Sequence, residues 1–190
     1  MGEWRGLVGR AVIVAALAGL AVAPSAEAAC GSPGNNEIVV ENCRPGNPAS
    51  EWDVAGAGDP GIQGFATDIS VAQGETVRFK VDTTASDYRL DIYRMGYYGG
   101  AGARLVATVQ PSVALPQSQP ACDEDRATGL IDCGNWSQSA SWAVPAAATS
   151  GIYFAKLVRE GGATGASHVV FISQPKTTAD FILDAAKTLK

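Results

Sequence analysis

The stretch TVRFKV at residues 76–81 decides the fold, because apolar and polar residues alternate along it without interruption. Side chains on a β-strand point to opposite faces in turn, so Val77, Phe79 and Val81 share one face and the polar residues share the other. Alternation of this kind is typical of an antiparallel strand with one face in the core and one face in water. The chain therefore contains a half-buried β-strand at this point.

Strand patterns continue on both sides of this stretch. A turn at Gln73-Gly74 joins it to the apolar segment Ile69–Val71, and the two together predict a β-hairpin. The chain after the stretch carries further segments of strand character, separated by glycine, proline and polar residues. These predicted strands are residues 88–94, 105–109, 141–144, 151–158 and 168–172.

The segment 151–158 shows the strongest strand pattern, with Tyr153, Ala155 and Leu157 on its predicted inner face. Tyr153 resembles the corner tyrosine of immunoglobulin-like domains, whose hydroxyl bonds back to the backbone; a plain buried aromatic ring is the alternative. Seven or eight short strands without an intervening long helix predict an all-β fold, an immunoglobulin-like or fibronectin-like antiparallel β-sandwich. A short C-terminal helix is predicted within residues 177–190 from helical spacing of apolar residues.

The first 28 residues have the organisation of a secretory signal peptide. Two arginines precede an apolar core at residues 11–22, which is too short to span a bilayer, and Ala26-Glu27-Ala28 forms a small-x-small cleavage site. We expect cleavage at that site and export by the Sec route, which makes the mature protein extracellular. Lipidation of Cys30 and an anchor that stays uncleaved are the alternatives.

The rest of the chain divides into three parts by composition. Residues 29–60 are rich in glycine, proline and asparagine, and we expect a disulfide-closed N-terminal loop with a short edge strand at Ile38–Val40. Residues 61–174 hold the predicted strands and form the expected β-sandwich domain. Residues 175–190 form a tail that we interpret as the possible start of a further domain.

The charge balance argues against two classes of partner. The chain has 14 basic and 19 acidic residues, a net charge of −5, and the first 28 residues hold two of each sign, so the mature balance is the same. A mildly acidic protein without a basic patch is poorly suited to bind nucleic acid or anionic lipid. We expect no nucleic-acid partner and no membrane association after signal cleavage.

Four cysteines remain after the predicted cleavage, and an even number in an exported chain indicates disulfides. We favour Cys30–Cys43 and Cys122–Cys133 among the three possible connectivities, because each of these pairs closes a local polar loop. A metal site is disfavoured, since the chain has no C-x-x-C spacing and a single histidine. We expect no cofactor.

A run of aromatic and glycine residues follows the predicted strand 88–94. Tyrosine rings offer flat apolar faces with a polar tip, and glycines let another molecule approach the backbone closely. The run predicts a binding site for a sugar or another protein. The alternative is structural, with one tyrosine plugging the end of the sandwich and the other covered in the loop. The candidate binding residues are Arg94, Tyr97, Tyr98, Gly99 and Gly100.

The sequence shows no catalytic constellation. His168, the single histidine, follows Ser167, and neighbouring strand residues point to opposite faces, so we expect no serine–histidine pair. Carboxylates at residues 123–125 and at Asp132 offer ligands of the kind that calcium prefers, but a solvated acidic hairpin is the favoured interpretation. Enzymatic activity of this chain alone is left open, and its absence is favoured.

Several segments together resemble a known family, above all YRLDIYRMGYYGG at residues 88–100. The others are residues 41–53, 61–71, 74–77 and 151–158. They resemble the N-terminal, immunoglobulin-like β-domain of large secreted actinobacterial proteins named after the N,N-dimethylformamidase large (beta) subunit, and the resemblance covers most of residues 36–183. It implies that the chain is the leading domain of a shortened or truncated gene.

In that family a longer catalytic-type domain follows, with iron held by tyrosine and glutamate. No residue of this chain matches those ligands, so the resemblance implies no amidase activity for this polypeptide. The favoured function is a secreted, non-catalytic accessory or interaction module, with a downstream or separately encoded catalytic domain as partner. In one alternative, the chain is part of an amidase-type hydrolase that acts on C–N bonds and whose catalytic domain is encoded separately. In another, it is a carbohydrate-binding module that uses Tyr97 and Tyr98 to bind glycans.

Reduction of the mature protein should lower its melting temperature by several degrees. Each predicted disulfide closes a loop of 12 to 14 residues, worth roughly 3 kcal/mol in the chain-entropy model. One kcal/mol shifts the melting temperature of a domain of this size by about 2–4 °C. Thermal melts with and without dithiothreitol measure the effect, and an unchanged midpoint would show that the cysteines are unpaired in the native state.

Overall fold

A computed structural model of the protein describes residues 30, 36–166 and 170–173. The predicted signal peptide at residues 1–28, the C-terminal helix and tail at residues 175–190, and His168 lie outside the described residues. Within the described part of the chain, no helix is long and apolar enough to cross a membrane.

Short strands dominate the described chain, with two small α-helices and two 3-10 turns between them. The helices are α1 (Glu37–Asn42) and α2 (Ala49–Trp52), and the 3-10 turns are Tyr98–Gly100 and Glu160–Gly162. The strands are β1 (Ile62–Ala66), β2 (Ser70–Ala72), β3 (Thr76–Thr83), β4 (Tyr88–Met95), β5 (Ala103–Val109), β6 (Asp123–Asp125), β7 (Leu130–Asp132), β8 (Ala140–Ala143), β9 (Gly151–Arg159), β10 (Thr164–Ala166) and β11 (Val170–Ser173).

Two sheets pack face to face and form a β-sandwich, which confirms the predicted all-β class. One sheet has the order β1-β3-β8, and the other has the order β2-β11-β9-β4-β5 with β10 paired to β9. Every pairing is antiparallel except that of β2 with β11. Strands β6 and β7 form a separate two-stranded hairpin.

The core lies between the two sheets, and its members are those that strand alternation predicts. Val77, Phe79 and Val81 of β3 are at most 2% exposed. They belong to one hydrophobic cluster with the inner residues of β4 and β9. The inner residues of those two strands are Tyr88, Leu90, Ile92, Tyr153, Ala155 and Leu157.

The predicted hairpin of Ile69–Val71 with the stretch 76–81 is wrong. Strand β2 pairs in parallel with β11 in one sheet, whereas β3 pairs with β1 and β8 in the other. The carboxylate of Glu75 accepts a hydrogen bond from the Ala72 backbone N–H at 2.7 Å. The backbone carbonyl of Glu75 accepts another from the Val144 N–H at 2.8 Å. These bonds fix the turn so that the chain crosses between the sheets instead of folding back.

The edge strand predicted at Ile38–Val40 is wrong, because these residues lie in α1. The Asn36 side chain accepts a hydrogen bond from the Val39 backbone N–H at 2.9 Å and caps the helix. Glu37 in the first turn favours the same end through the helix dipole. A short apolar run fits either a strand or a helix, and the polar residues before it decide the outcome.

Both predicted disulfides are confirmed. Cys30 is bonded to Cys43 and Cys122 to Cys133, with Cα–Cα distances of 5.6 and 4.4 Å. The first ends at the residue that follows α1, and the second closes the base of the β6–β7 hairpin. Disulfides persist in oxidising compartments and are rare in the cytosol, so this pairing is typical of an extracellular protein.

The hydrogen bond predicted for Tyr153 is also present. Its hydroxyl donates to the Thr149 carbonyl at 2.6 Å, and its ring packs against Trp142 across the core at 5.7 Å between centroids. Burial raises the pKa of Tyr153 to about 12, and the nearby Arg94 charge opposes that rise. The hydroxyl therefore stays neutral in the folded state at pH values where an unfolded tyrosine ionises.

The Tyr153→Phe variant should be less stable than the wild type at pH 8, by about 1 kcal/mol, because Thr149 loses its hydroxyl donor. A tyrosine with a raised folded-state pKa adds stability that is lost as pH rises from the unfolded pKa of about 10 through the folded value. The variant has no such loss, so the difference in urea midpoint between wild type and variant should shrink above pH 9.5 and change sign by about pH 11.5, because the pKa rise is worth more than 1 kcal/mol there. A gap of constant size across that range would contradict the raised pKa.

Candidate functional site

The chain before the sandwich, residues 41–53, lies as an arm on the outer face of the six-stranded sheet. Lys156 of β9 donates from Nζ to the Glu51 and Asp53 carbonyls at 2.8 and 3.2 Å. The hydroxyl of Tyr93 on β4 donates to the same Glu51 carbonyl at 3.2 Å. The Lys156 amine thus lies at the C-terminal end of α2, where it binds carbonyls that the helix leaves free and complements the helix dipole. The arm is therefore a fixed part of the fold.

Trp52 attaches the arm to the loop that contains the two tyrosines. Its indole Nε1–H lies 3.1 Å from the carbonyl oxygens of both Asn47 and Ala101. Gly102 has φ +88°, and a Cβ on it would lie 2.9 Å from the Trp52 ring. Glycine is required here because the ring leaves no room for a side chain and because other residues rarely adopt this backbone conformation.

The loop turns tightly between β4 and β5. Gly96 N–H donates to the Gly102 carbonyl at 3.0 Å and Gly100 N–H to the Tyr97 carbonyl at 2.7 Å. Tyr98 has φ +43°, the one positive value at a non-glycine residue in the described chain. Such a conformation costs of order 1–3 kcal/mol and persists only where the surroundings fix it.

Arg94 and Glu41 provide those surroundings. The Tyr98 hydroxyl accepts a hydrogen bond from Arg94 Nη1 at 2.9 Å and donates one to Glu41 Oε1 at 3.0 Å. Arg94 also donates from Nη2 to the Ser150 carbonyl at 2.8 Å. All three side chains are buried, at 3% exposure each. Tyr98 thus links an arginine of β4 to a carboxylate of α1.

Two further arginines pair with Glu41. Arg104 donates to Oε1 from Nε at 2.8 Å and from Nη2. Arg44, which is 58% exposed, lies 3.2 Å from Oε2. Burial raises the pKa of Tyr98, and the hydrogen bond from Arg94 opposes the rise. The Glu41 carboxylate therefore pairs directly with two guanidinium groups and is linked to a third, that of Arg94, through the Tyr98 hydroxyl.

The structure places the five predicted site residues at the end of β4 and in the loop that follows, but gives them two different environments. Arg94 and Tyr98 are buried in the network around Glu41, so their side chains face the interior. Tyr97 is 55% exposed, and Gly99 and Gly100 are exposed, with no neighbouring atom within 4 Å of the position that a Cβ would occupy. In this conformation a ligand can reach Tyr97, Gly99 and Gly100 but not the side chains of Arg94 and Tyr98.

Apolar side chains from α1 are exposed beside the loop. Asn42 joins the two elements, because its Oδ1 accepts from the Tyr97 backbone N–H at 2.8 Å and its Nδ2 donates to the Ile38 carbonyl at 2.9 Å. Ile38 is 44% exposed. We call Ile38, Tyr97, Gly99 and Gly100 the Tyr97 surface. It combines one large exposed aromatic ring, an exposed aliphatic side chain on the adjoining helix α1 and accessible backbone.

Sequence reasoning located the loop and missed the residues that support it. Glu41 lies in a segment that was predicted as a loop with an edge strand, and Arg104 stands at the end of the motif without any signal of its role. Only the resemblance included Glu41 and Asn42, without giving their function. A carboxylate 57 residues from its tyrosine partner cannot be recognised from spacing.

The described residues offer no evident reaction chemistry at this loop. No group of three or more histidine, cysteine, aspartate or glutamate side chains within the described ranges is placed to hold a metal ion. The acidic residues 123–125 and Asp132 lie in the β6–β7 hairpin and are all exposed, which agrees with the solvated hairpin favoured from sequence. The arrangement at the loop is suited to contact and support.

Comparison with known proteins gives one family. The model for "N,N-dimethylformamidase beta subunit-like, C-terminal" matches residues 89–188, just over half of the chain. The match begins within β4 and includes the tyrosine loop but not Glu41. It describes the C-terminal part of that family, whereas the resemblance implied a leading domain, so the position of this chain in a longer protein stays a prediction. No match was found among curated proteins.

Two solved structures show a distant likeness. An uncharacterized protein from Bacillus anthracis str. Ames is 15% identical with a TM-score of 0.39, over 58% of this chain and 80% of that one. The SGBP-B protein of the Bacteroides ovatus mixed-linkage glucan utilization locus, solved with a mixed-linkage heptasaccharide, is 17% identical with a TM-score of 0.30, over 62% of this chain and 23% of that one. These TM-scores are too low to support an inference about fold or function.

The Glu41→Gln variant should lose about 3 kcal/mol of unfolding free energy, because it removes the buried carboxylate that bonds to Tyr98 and Arg104 and pairs with Arg44. The matched control is Glu124→Gln, since Glu124 is 59% exposed and lies 3.8 Å from Arg126; its effect should stay within about 0.5 kcal/mol. Urea unfolding measures both. Equal effects of the two variants would show that Glu41 does not support the loop.

Proposed function

Because this chain belongs to the N,N-dimethylformamidase beta subunit-like, C-terminal family, we propose that it is a secreted, non-catalytic interaction module. It binds a catalytic-type domain of an N,N-dimethylformamidase-like protein through the Tyr97 surface. The observation that carries this proposal is the division of the two tyrosines. Tyr98 is buried at 3% exposure, and Tyr97 is held outward at 55% exposure by the same turn.

The turn presents Tyr97 in a fixed position. The Tyr97 backbone N–H is bonded to Asn42, and its carbonyl accepts from Gly100 N–H. Tyrosine is enriched among residues that contribute most to protein–protein binding, and a side chain on a fixed backbone loses less entropy when it binds. Gly99 and Gly100 leave room for a partner to reach the main chain beside the ring.

The non-catalytic part of the proposal is supported by how the motif residues are used. Arg94, Tyr98 and Arg104 make hydrogen bonds to one another, to the Ser150 carbonyl and to Glu41 within the protein, and these bonds support the fold. The proposal includes the immunoglobulin-like character, a leading position in the family, and export by the signal peptide at residues 1–28. The two disulfides support export, because they are typical of oxidising compartments.

Two alternative functions would use the same Tyr97 surface, and different measurements distinguish them. In the first, the chain is one part of an amidase-type hydrolase acting on C–N bonds, and its catalytic domain is encoded separately. In the second, the exposed ring of Tyr97 stacks on a sugar, as aromatic rings with a polar tip can. The first predicts a change in amide hydrolysis when the two parts are mixed, and the second predicts retention on a glycan.

The test measures binding between the mature chain and a purified catalytic-type domain of an N,N-dimethylformamidase-like protein from the same organism, by calorimetry. Tyr97→Ala should weaken binding about 30-fold, the effect of a 2 kcal/mol hot spot. The matched control is Ile69→Ala, because Ile69 is 79% exposed and lies outside the Tyr97 surface; its affinity should stay within about twofold of the wild type.

Absence of binding by the wild type, or equal affinities for both variants, would overturn the interaction proposal. A parallel measurement of glycan retention on immobilised polysaccharides separates the alternatives. Retention by the wild type that Tyr97→Ala abolishes would assign the surface to sugars. Amide hydrolysis that appears only in the mixture would assign the chain to a two-part hydrolase.

A further inference from the structure

The β6–β7 hairpin projects from the sandwich as a separate element. Its two strands pair only with each other, in the register Asp123↔Asp132, Glu124↔Ile131 and Asp125↔Leu130. Every residue from 123 to 132 is exposed. No part of the described chain covers either of its faces.

This hairpin is nevertheless well fixed at both ends. At the tip, the Asp125 carboxylate accepts from Ala127 N–H at 2.9 Å and from the Thr128 hydroxyl at 2.8 Å. At the base, Cys122 is bonded to Cys133. The hairpin is therefore a preformed structure and does not need a partner in order to fold.

The chain next to the hairpin is anchored on the outer face of the three-stranded sheet. Lys80 of β3 donates from Nζ to the Gly134 carbonyl at 2.7 Å. The Trp136 ring packs on Phe65 of β1 with centroids 5.6 Å apart, and its Nε1–H donates to the Pro120 carbonyl at 2.9 Å. The hairpin and the N-terminal arm therefore lie on opposite sheets of the sandwich.

The composition of the hairpin works against its own stability. Three-residue strands give a hairpin that is marginal in water without other support. Asp123 and Asp132 stand directly opposite each other, and like charges in that position are unfavourable. Leu130 and Ile131 are 62% and 68% exposed, so they contribute no burial. The disulfide and the anchored base offset these costs.

The two aliphatic residues are consecutive in β7, so their side chains point to opposite faces of the hairpin. A partner that covers both must contact both faces, which a flat surface cannot do and a cleft can. Four carboxylates and one arginine, Arg126, surround the pair. A protein partner that complements this charge has lysine or arginine around the opening of the cleft.

We propose that the hairpin of residues 122–133 is a docking element that inserts into an apolar cleft with a basic rim on a partner protein. Leu130 and Ile131 contact the two walls of the cleft, and the carboxylates pair with its rim. This surface is separate from the Tyr97 surface, and the inference does not depend on the function proposed for the latter.

The partner is found by photo-crosslinking the exported, full-length chain in its own organism, with benzoylphenylalanine in place of Ile131 and, as the control, in place of Ile69. A protein that crosslinks at Ile131 only is identified by mass spectrometry and purified. Its affinity for the mature chain is then measured at 50 and 300 mM salt. We expect a loss of at least tenfold in affinity for Leu130→Ser and for Ile131→Ser, and weaker binding at the higher salt.

The Asp123→Asn variant separates a binding role from a structural one. It relieves the like-charge pair, so its melting temperature should rise by about 1–3 °C while its affinity for the partner falls. A variant that is both more stable and weaker in binding fits a docking role alone. Ile69→Ser is the control and should leave the affinity unchanged.

Three results would overturn the proposal. The first is the absence of a crosslink at Ile131 above that at Ile69. The second is a crosslink only to a second copy of this chain, together with a dimer in solution. The third is calorimetric binding of calcium alone at micromolar concentration that Asp123→Asn abolishes, because the carboxylates would then belong to a cation site.

Discussion

The guanidinium group of Arg94 lies at the end of an apolar core, and the surrounding chain is organised by the need to satisfy it. A buried charge costs several kcal/mol unless hydrogen bonds and an opposite charge compensate it. The Ser150 carbonyl and the Tyr98 hydroxyl provide the bonds, and Glu41 provides the charge through that hydroxyl. Since Glu41 comes from the N-terminal arm, the arm, the loop and β4 depend on one another.

Close packing around Arg94 also explains two local features. A Cβ at Gly151 would lie 3.0 Å from Arg94 Nη2, so a larger residue at the start of β9 would displace the guanidinium. Tyr98 adopts its positive φ because that conformation brings its hydroxyl between Arg94 and Glu41. Tyr97, the residue before Tyr98 in the turn, is 55% exposed. The same turn therefore buries Tyr98 in the network around Arg94 and leaves Tyr97 exposed.

The sequence predicts features that depend on local alternation of apolar and polar residues. It does not predict pairings between segments that are distant in the chain. The positions and inner faces of β3, β4 and β9 follow from a period of two, and these were correct. The pairing of β2 was not, because alternation identifies a strand but not the sheet that it joins. The apolar run at Ile38–Val40 fits a strand or a helix, and the hydrogen bond from Val39 N–H to the Asn36 side chain favours the helix.

The candidate site shows the same limit. Aromatic and glycine residues marked the loop, but nothing in the motif distinguishes the buried tyrosine from the exposed one. That distinction depends on Glu41, which reaches Tyr98 from a helix far away in the chain. Local disulfides were correctly paired because their separations are short, at 13 and 11 residues. Short sequence separation cannot predict the bond between Glu41 and Tyr98, because the two residues are 57 positions apart.

The arm on the sheet has a consequence for the order in which the molecule assembles. Its residues emerge before the strands of the sandwich during synthesis, but the Tyr98 hydroxyl that binds Glu41 follows 57 residues later, and the Lys156 amine that holds the Glu51 carbonyl follows 105 residues later. Contacts between such distant positions are slow to form. Trp52 and Glu41 therefore lack their partners until the loop at residues 98–104 has been made, and the Glu51 carbonyl lacks Lys156 until β9 follows, so a segment that precedes the sandwich is among the last to be secured.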